Sequence, residues 1–263
     1  MLAVERKQTI LDTLGKHTYC TIAQLSDLLQ VSEMTIRRDL KALEEEGCVI
    51  RTHGGASRAR GVGNELRYEE KKQRHFGVKN AIARYAAENV VQDNGVIILE
   101  GGTTVGFMAD FLQEHRNLTI ITNGLDTLAA LKASVPKHTV LSCGGMLRDT
   151  SHTFVGPIAE QFFAPIHADY LFVSASGVTA EQGFTDPNML EAQIKLAMAK
   201  SAKKKVMLLN SEKFGQIAML RTFGLQDIDV LITDDRAPEE LLELIRSSGA
   251  DVHVVSAEAE FPT

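Results

Sequence analysis

Residues 32–46 read Ser-Glu-Met-Thr-Ile-Arg-Arg-Asp-Leu-Lys-Ala-Leu-Glu-Glu-Glu. Ile36, Leu40 and Leu43 fall at i, i+4 and i+7 with Met34 beside them, a spacing that predicts a helix with one buried apolar stripe and one free face. The free face would carry Thr35, Arg37, Arg38 and Lys41. Ser32 stands where an N-cap belongs and Gly47 follows the last periodic residue, bracketing a helix of about four turns.

The neighbouring residues supply the partner such a helix needs. Thr21 can cap a segment from Ile22 to Leu29, whose Ile22, Leu25, Leu28 and Leu29 form a second stripe, and Gln30 and Val31 leave only a tight turn before Ser32. Two short helices joined this closely cross steeply, so that the second can enter a DNA major groove while the first braces it. Val49 to Ala56 reads as a strand, a glycine turn and a return, the wing of a winged helix-turn-helix. Upstream, Val4 to Lys16 carries Ile10, Leu11 and Leu14 on one face and is closed by Gly15, a supporting helix. In the functional reading Ser32, Thr35, Arg37, Arg38 and Lys41 face bases and phosphates, while Arg51 and His53 on the wing touch the DNA backbone. In the blander one the same cations are a solvated face paired with Asp39, Glu44 and Glu45. Their place on the second helix, with a wing behind it, favours DNA.

Charge is divided to match. Residues 1–60 hold 9 Lys and Arg against 8 Asp and Glu, whereas the remainder holds 19 against 26 within a total of -6. DNA contact therefore belongs to one face of the N-terminal part rather than to the whole surface. Cys20, Cys48 and Cys143 are odd in number and far apart, which points to free thiols and gives no metal site. Neither a signal peptide nor a membrane-length apolar run is present, so a cytoplasmic protein is expected. The domains expected are a DNA-binding unit over 1–58, a charged linker over 59–78 and an effector-binding unit over 79–263.

From Lys79 onward short apolar strands, such as Gly95–Leu99 and Leu118–Thr122, alternate with helical segments. That order predicts an open, largely parallel α/β sheet covered on both faces, with ligands bound at loops leaving the carboxyl ends of strands. Glu100-Gly101-Gly102-Thr103-Thr104 leaves the first strand toward a helix, Thr122-Asn123-Gly124 leaves the second, Gly144-Gly145 follows the third and Ser174-Ala175-Ser176-Gly177 ends the fourth. Each is an ordinary turn composition by itself; four at one sheet edge suggest a pocket. Glu191 and Lys195 share a helix face, a spacing more often seen in a surface ion pair, and Lys213 lies in the loop Ser211-Glu-Lys-Phe-Gly215.

From Arg6 to Ala56 the chain resembles the N-terminal domain of DeoR-type bacterial transcriptional regulators, through Arg6 and Ile10–Leu14, VSEMTIRRDLKALEEEG and IRTHGGA. Beyond it GGTT, TNG, CGG at 143–145, FVGP, SASG, NMLEAQIK and SEKFG are similar in order and spacing to the motifs of the DeoR-type effector domain. The resemblance implies a sensor related in fold to ribose-5-phosphate isomerase and CoA transferases. It implies a repressor of a carbohydrate-utilisation operon, relieved by a phosphorylated sugar or related metabolite, with no cofactor. Carried over by motif, the pocket would be Gly102, Thr103, Thr104, Asn123, Gly144, Gly145, Glu191, Lys195 and Lys213. Two residues depart from the pattern: Glu100 stands where the family generally has Asp, and Glu212 where it has a small Ser. The expected partners are double-stranded operator DNA and a second or further copy of the chain, as homodimer or homotetramer. The rival reading is a sugar-phosphate isomerase or transferase-like enzyme with Glu191 as general base and Lys195 or Lys213 on the phosphate.

Overall fold

The computed structural model describes residues 3–16, 19–45, 49–52, 54–58 and 65–256. Contacts divide the chain into two compact units, residues 1–64 and 65–263.

In the first unit α1 (Ala3–Lys16), α2 (Ile22–Leu29) and α3 (Glu33–Glu45) surround a core of Ile10, Leu14, Ile22, Leu25, Leu29, Ile36, Leu40 and Leu43. β1 (Tyr19–Thr21), β2 (Val49–Thr52) and β3 (Gly55–Arg58) form an antiparallel sheet in the order β1-β3-β2, which makes the wing. Thr21 caps α2 through a reciprocal box: Gln24 N donates to Thr21 Oγ1 at 3.1 Å and Thr21 N to Gln24 Oε1 at 2.9 Å. Gln30 takes the left-handed conformation that ends α2, with φ 52°. Two expected core residues point elsewhere. Leu28 and Met34 are exposed, because each lies on the helix face away from the shared core.

The second unit contains α4 (Tyr68–Gln73), α5 (Phe76–Val90), β4 (Val96–Leu99), α6 (Thr103–Gly106), β5 (Thr119–Thr122), α7 (Leu125–Ala130), β6 (Thr139–Ser142), β7 (Met146–Arg148) and β8 (Thr153–Val155). It continues with α8 (Pro157–Phe163), β9 (Ala168–Val173), β10 (Gly177–Thr179), β11 (Gly183–Asp186), α9 (Met189–Lys200), β12 (Ala202–Leu208), β13 (Leu220–Phe223), β14 (Val230–Asp234), α10 (Glu239–Ser247) and β15 (Asp251–Val255). Seven strands pair in the order β15-β14-β12-β9-β4-β5-β6, every neighbouring pair parallel. Both faces are covered, as the runs VIIL and TIIT require. Ile97 and Leu99 of β4 join Ile82, Ala83 and Ala86 of α5, whereas Ile98 between them joins Phe163 and Ile194 on the other side. The alanines of α5 let its backbone lie close to the sheet.

The expected linker differs from the structure. Residues 59–64 are outside the described set, and 65–78 fold with the second unit: Tyr68 is buried, and Glu65 pairs with Arg148, Arg148 Nη2 to Glu65 Oε2 at 2.8 Å. A charged stretch is thus held by its few apolar residues and an ion pair to a residue distant in sequence. The helix expected after Glu100 is a single turn followed by 3₁₀ turns at Phe107–Asp110 and Leu112–Glu114.

Candidate functional site

Two sites can be built from these elements, one in each unit. In the first, Ser32 caps α3: Thr35 N donates to Ser32 Oγ at 3.3 Å and to Ser32 O at 2.9 Å, and the Ser32 and Thr35 hydroxyls lie 2.9 Å apart. Arg37, Arg38 and Lys41 are exposed on the face opposite the core. Two of the acids near them, Asp39 and Glu44, are held by other arginines. Asp39 is buried and held by Arg6, Nε to Oδ2 at 2.5 Å and Nη2 to Oδ1 at 3.1 Å. Glu44 pairs with Arg51 at 3.2 Å, tying the wing to α3, and Arg37 reaches Glu33 at 3.5 Å. Arg38 makes no ion pair among the described residues. His53 lies outside them, as do Gly47 and Cys48.

The second site is a cavity of about 630 Å³, counting its open side, at the carboxyl ends of β4, β9 and β12. Its walls carry two clusters of opposite sign. At one, Lys195 Nζ donates to Asp186 Oδ1 and Ser174 O, both at 2.8 Å, and lies 3.7 Å from Glu100 Oε1. Glu100 Oε2 accepts from Ser174 Oγ at 2.9 Å and Ser174 N at 3.2 Å. Burial pushes the Glu100 carboxyl upward despite Lys195, whereas Lys195 stays above its usual value because Asp186 and Glu100 outweigh burial.

Beside this cluster, Asn188 caps α9 by accepting from Leu190 N and Glu191 N, and so fixes Glu191. Glu191 Oε1 accepts from Ser151 Oγ at 2.6 Å, Arg148 Nη1 at 2.7 Å and Thr153 Oγ1. Burial would raise this carboxyl, but those hydroxyls, Lys195 and Arg148 hold it below the usual range. Glu191 and Lys195 are therefore both buried with partners of their own, and are not a surface pair. A carboxylate so fully bonded is an anchor and a weak proton acceptor.

The opposite cluster is cationic. Lys79 of α5 is only 2% exposed and donates from Nζ to Lys71 O. Burial, with Lys213, Arg74 and Lys71 near and Glu212 partly offsetting them, brings its ammonium down to about 7. Glu212 accepts from His75 Nε2 at 2.9 Å and pairs with Lys213 at 3.2 Å; those partners hold its carboxyl far below the usual range against the effect of burial. Lys71, Lys79 and Lys213 all line the cavity.

Of the pocket residues implied by motif, Gly102, Thr103, Thr104, Glu191, Lys195 and Lys213 line this cavity. Asn123, Gly144 and Gly145 do not. Asn123 is a strut: its Oδ1 accepts from Gly101 N at 2.9 Å and its Nδ2 donates to Phe154 O at 3.1 Å, holding the Gly101–Gly102 loop from behind. Gly144 and Gly145, with φ 62° and 112°, turn the chain from β6 into β7, and a Cβ on Gly145 would lie 2.9 Å from Val155 O. Gly102 is narrow for another reason: its Cβ would fall 2.2 Å from Ser174 Oγ. Lining residues that motif matching does not supply include Glu65, Lys71, Lys79, Ser151, Thr153, Asp186 and Asn210. The only signal for Lys79 is its position one turn into the first helix of the α/β pattern.

Family comparison meets this geometry in both units. The DeoR-like helix-turn-helix domain matches residues 6–60, and the DeoR C-terminal sensor domain matches residues 74–235, more than half the chain. The chain belongs to the DeoR family. It is similar to the HTH-type transcriptional regulator GolR of Listeria innocua, 35% identical over 97% of this chain and 99% of that protein. It is also similar to the putative aga operon transcriptional repressor of Escherichia coli O157:H7, 31% identical over 95% and 93%. Among solved structures, the full-length sorbitol operon regulator SorC from Klebsiella pneumoniae is 14% identical over 90% of this chain and 98% of that one, with a TM-score of 0.39. This DeoR-family chain is accordingly a DNA-binding transcriptional regulator with a sensor domain, and its relatives are named as regulators rather than enzymes. Among the described residues no helix is long and apolar enough to cross a membrane, and no cluster of His, Cys, Asp or Glu could hold a metal ion.

Proposed function

We propose that this regulator represses a carbohydrate-utilisation operon from the cytoplasm and that a phosphorylated sugar or related metabolite, bound in the second unit, relieves repression. The observation that carries the reading is the pairing of opposite walls in one cavity. Lys71, Lys79 and Lys213 suit a phosphate, while Glu100, Asp186 and Asn210 offer acceptors to sugar hydroxyls and Lys195 a donor. Gly102, Thr103 and Thr104 would let the ligand approach the backbone, and Glu191 would hold the wall through Arg148 and Ser151. On the DNA side Ser32, Thr35, Arg37, Arg38, Lys41 and Arg51 are the residues for operator contact, used by a homodimer or homotetramer on symmetric half-sites.

A ligand acts only if it favours one arrangement of the protein over another. Glu65 and Lys71, which line the cavity, are the first and seventh residues of the second unit in sequence. The test is a thermal-denaturation panel of sugar phosphates beside their unphosphorylated parents. A stabilising sugar phosphate at a concentration about 100 times its Kd adds roughly 2.7 kcal/mol to the unit that binds it. Stabilisation by parent sugars alone, or by nothing in the panel, defeats the phosphate reading.

A further inference from the structure

The exposed face of α3 has an apolar centre. Along an α-helix each residue turns about 100°, so Met34 lies roughly 200° from Ile36 and in line with Arg38 and Lys41 at i+4 and i+7. The burial agrees: Ile36, Leu40 and Leu43 are at most 1% exposed and Met34 is 68% exposed. An unbranched thioether side chain thus stands on the first turn of the recognition helix, beside the Ser32 cap, with Arg37, Arg38 and Lys41 around it. Left in water it gains nothing from its hydrophobicity, and its neighbours are cations suited to phosphates. The surface that meets such a face is the DNA major groove, whose apolar feature is the C5-methyl group of thymine.

We propose that Met34 reads a T·A base pair in each operator half-site by packing on the thymine methyl. The inference rests on α3 being the helix that enters the groove. Its first turn is the part of a helix-turn-helix that approaches base edges, where Met34 reaches further than Thr35, whose hydroxyl is engaged with Ser32. Met is flexible, so it can follow the methyl without a fixed rotamer. Arg37, Arg38 and Lys41 would set the register through phosphates and other bases, leaving this one position to an apolar contact.

The experiment needs neither a known operator nor a known effector. Duplexes with a randomised core are selected by the full-length protein and by Met34→Ala, Met34→Leu and Arg38→Ala, with circular dichroism and thermal midpoints as folding controls. Wild type and Met34→Leu should enrich the same half-site, and Met34→Ala should lose its thymine preference at one position only. Replacing that thymine by uracil removes the methyl and nothing else. It should weaken wild-type binding about 3- to 5-fold, the size expected for one buried methyl, and should leave Met34→Ala unaffected. Met34→Ala selecting an unchanged half-site, or losing affinity evenly at every sequence, overturns the proposal. If Arg38→Ala still weakens binding in that case, only the role of Met34 falls; if Arg38→Ala is also without effect, the assignment of α3 falls with it.

Discussion

Replacing Lys79 by Met should stabilise the second unit while weakening effector binding, and the two effects have one origin. In the folded chain the buried ammonium titrates at about 7, against 10.5 for an ordinary lysine. At pH 6 it is charged in both folded and unfolded states, and the fold bears the full penalty of burying it. Between pH 7 and 10.5 the unfolded state binds more protons, so wild-type stability rises with pH across that window. The shift corresponds to about 5 kcal/mol as an upper figure. Loss of the Lys79 bond to Lys71 O removes about 1 kcal/mol of the gain, leaving a few kcal/mol, or on the order of 5–10 °C in midpoint at pH 6. The advantage of Lys79→Met should fade toward pH 10. Its affinity for a sugar phosphate should fall about 10- to 150-fold, the worth of a charge-assisted hydrogen bond of roughly 1.5–3 kcal/mol. Thermal scans at pH 6 and pH 10 with calorimetric titration read both quantities. A variant less stable than wild type at pH 6 that binds the sugar phosphate normally would refute the reasoning.

Phosphate binding near Lys79 should restore its proton, so calorimetry at pH 8 in buffers of different ionisation enthalpy should report net proton uptake that disappears below pH 6; equal heats in all buffers would count against contact. Arg38→Ala should weaken operator binding and flatten its salt dependence by about one counterion, with the thermal midpoint and sugar-phosphate binding unchanged, as gel shifts over a salt series would show. Gly102→Ala would drive a methyl into Ser174 and Glu100 and should lower stability by about 1–3 kcal/mol in urea denaturation while abolishing effector binding; a normal thermal response to sugar phosphate would contradict the packing seen at the loop.

The seven-stranded sheet was legible because its strands are short, continuous and apolar, so that VIIL and TIIT need cover on both faces wherever they lie. The antiparallel pieces were not. β7 and β8, and the β10-β11-β13 sheet, have three or four residues per strand and depend on partners up to tens of residues away, as where Thr185 lies opposite Arg221. Composition singles out loops that line the cavity, at Gly102–Thr104, together with ones that do not, at Gly144 and Gly145, since a positive φ serves a turn as well as a ligand. Spacing placed Glu191 and Lys195 on one face, but their burial and separate partners are properties of the tertiary structure. The same limit explains Met34. Met34 stands next to the apolar stripe in sequence, yet two positions from Ile36 is the far side of a helix.

The residues hardest to read are the ones that give the second unit its chemistry. Glu65, Lys71 and Lys79 lie in or beside a stretch whose charge resembles a linker, and the bond that brings Glu65 inward is made to Arg148, 83 residues later. A charged segment that ends in solvent needs no distant partner, whereas one that lines a cavity must bring its counter-ions with it. Lys79 shows the consequence. Its ammonium has Lys213, Arg74 and Lys71 near it and Glu212 as the offsetting acid, and Glu212 is itself shared with His75 and Lys213. Lys79 is therefore a buried cation short of negative charge. An anion that supplies it gains affinity from the same burial that lowers the stability of the unoccupied fold, which is why one substitution should move the two in opposite directions.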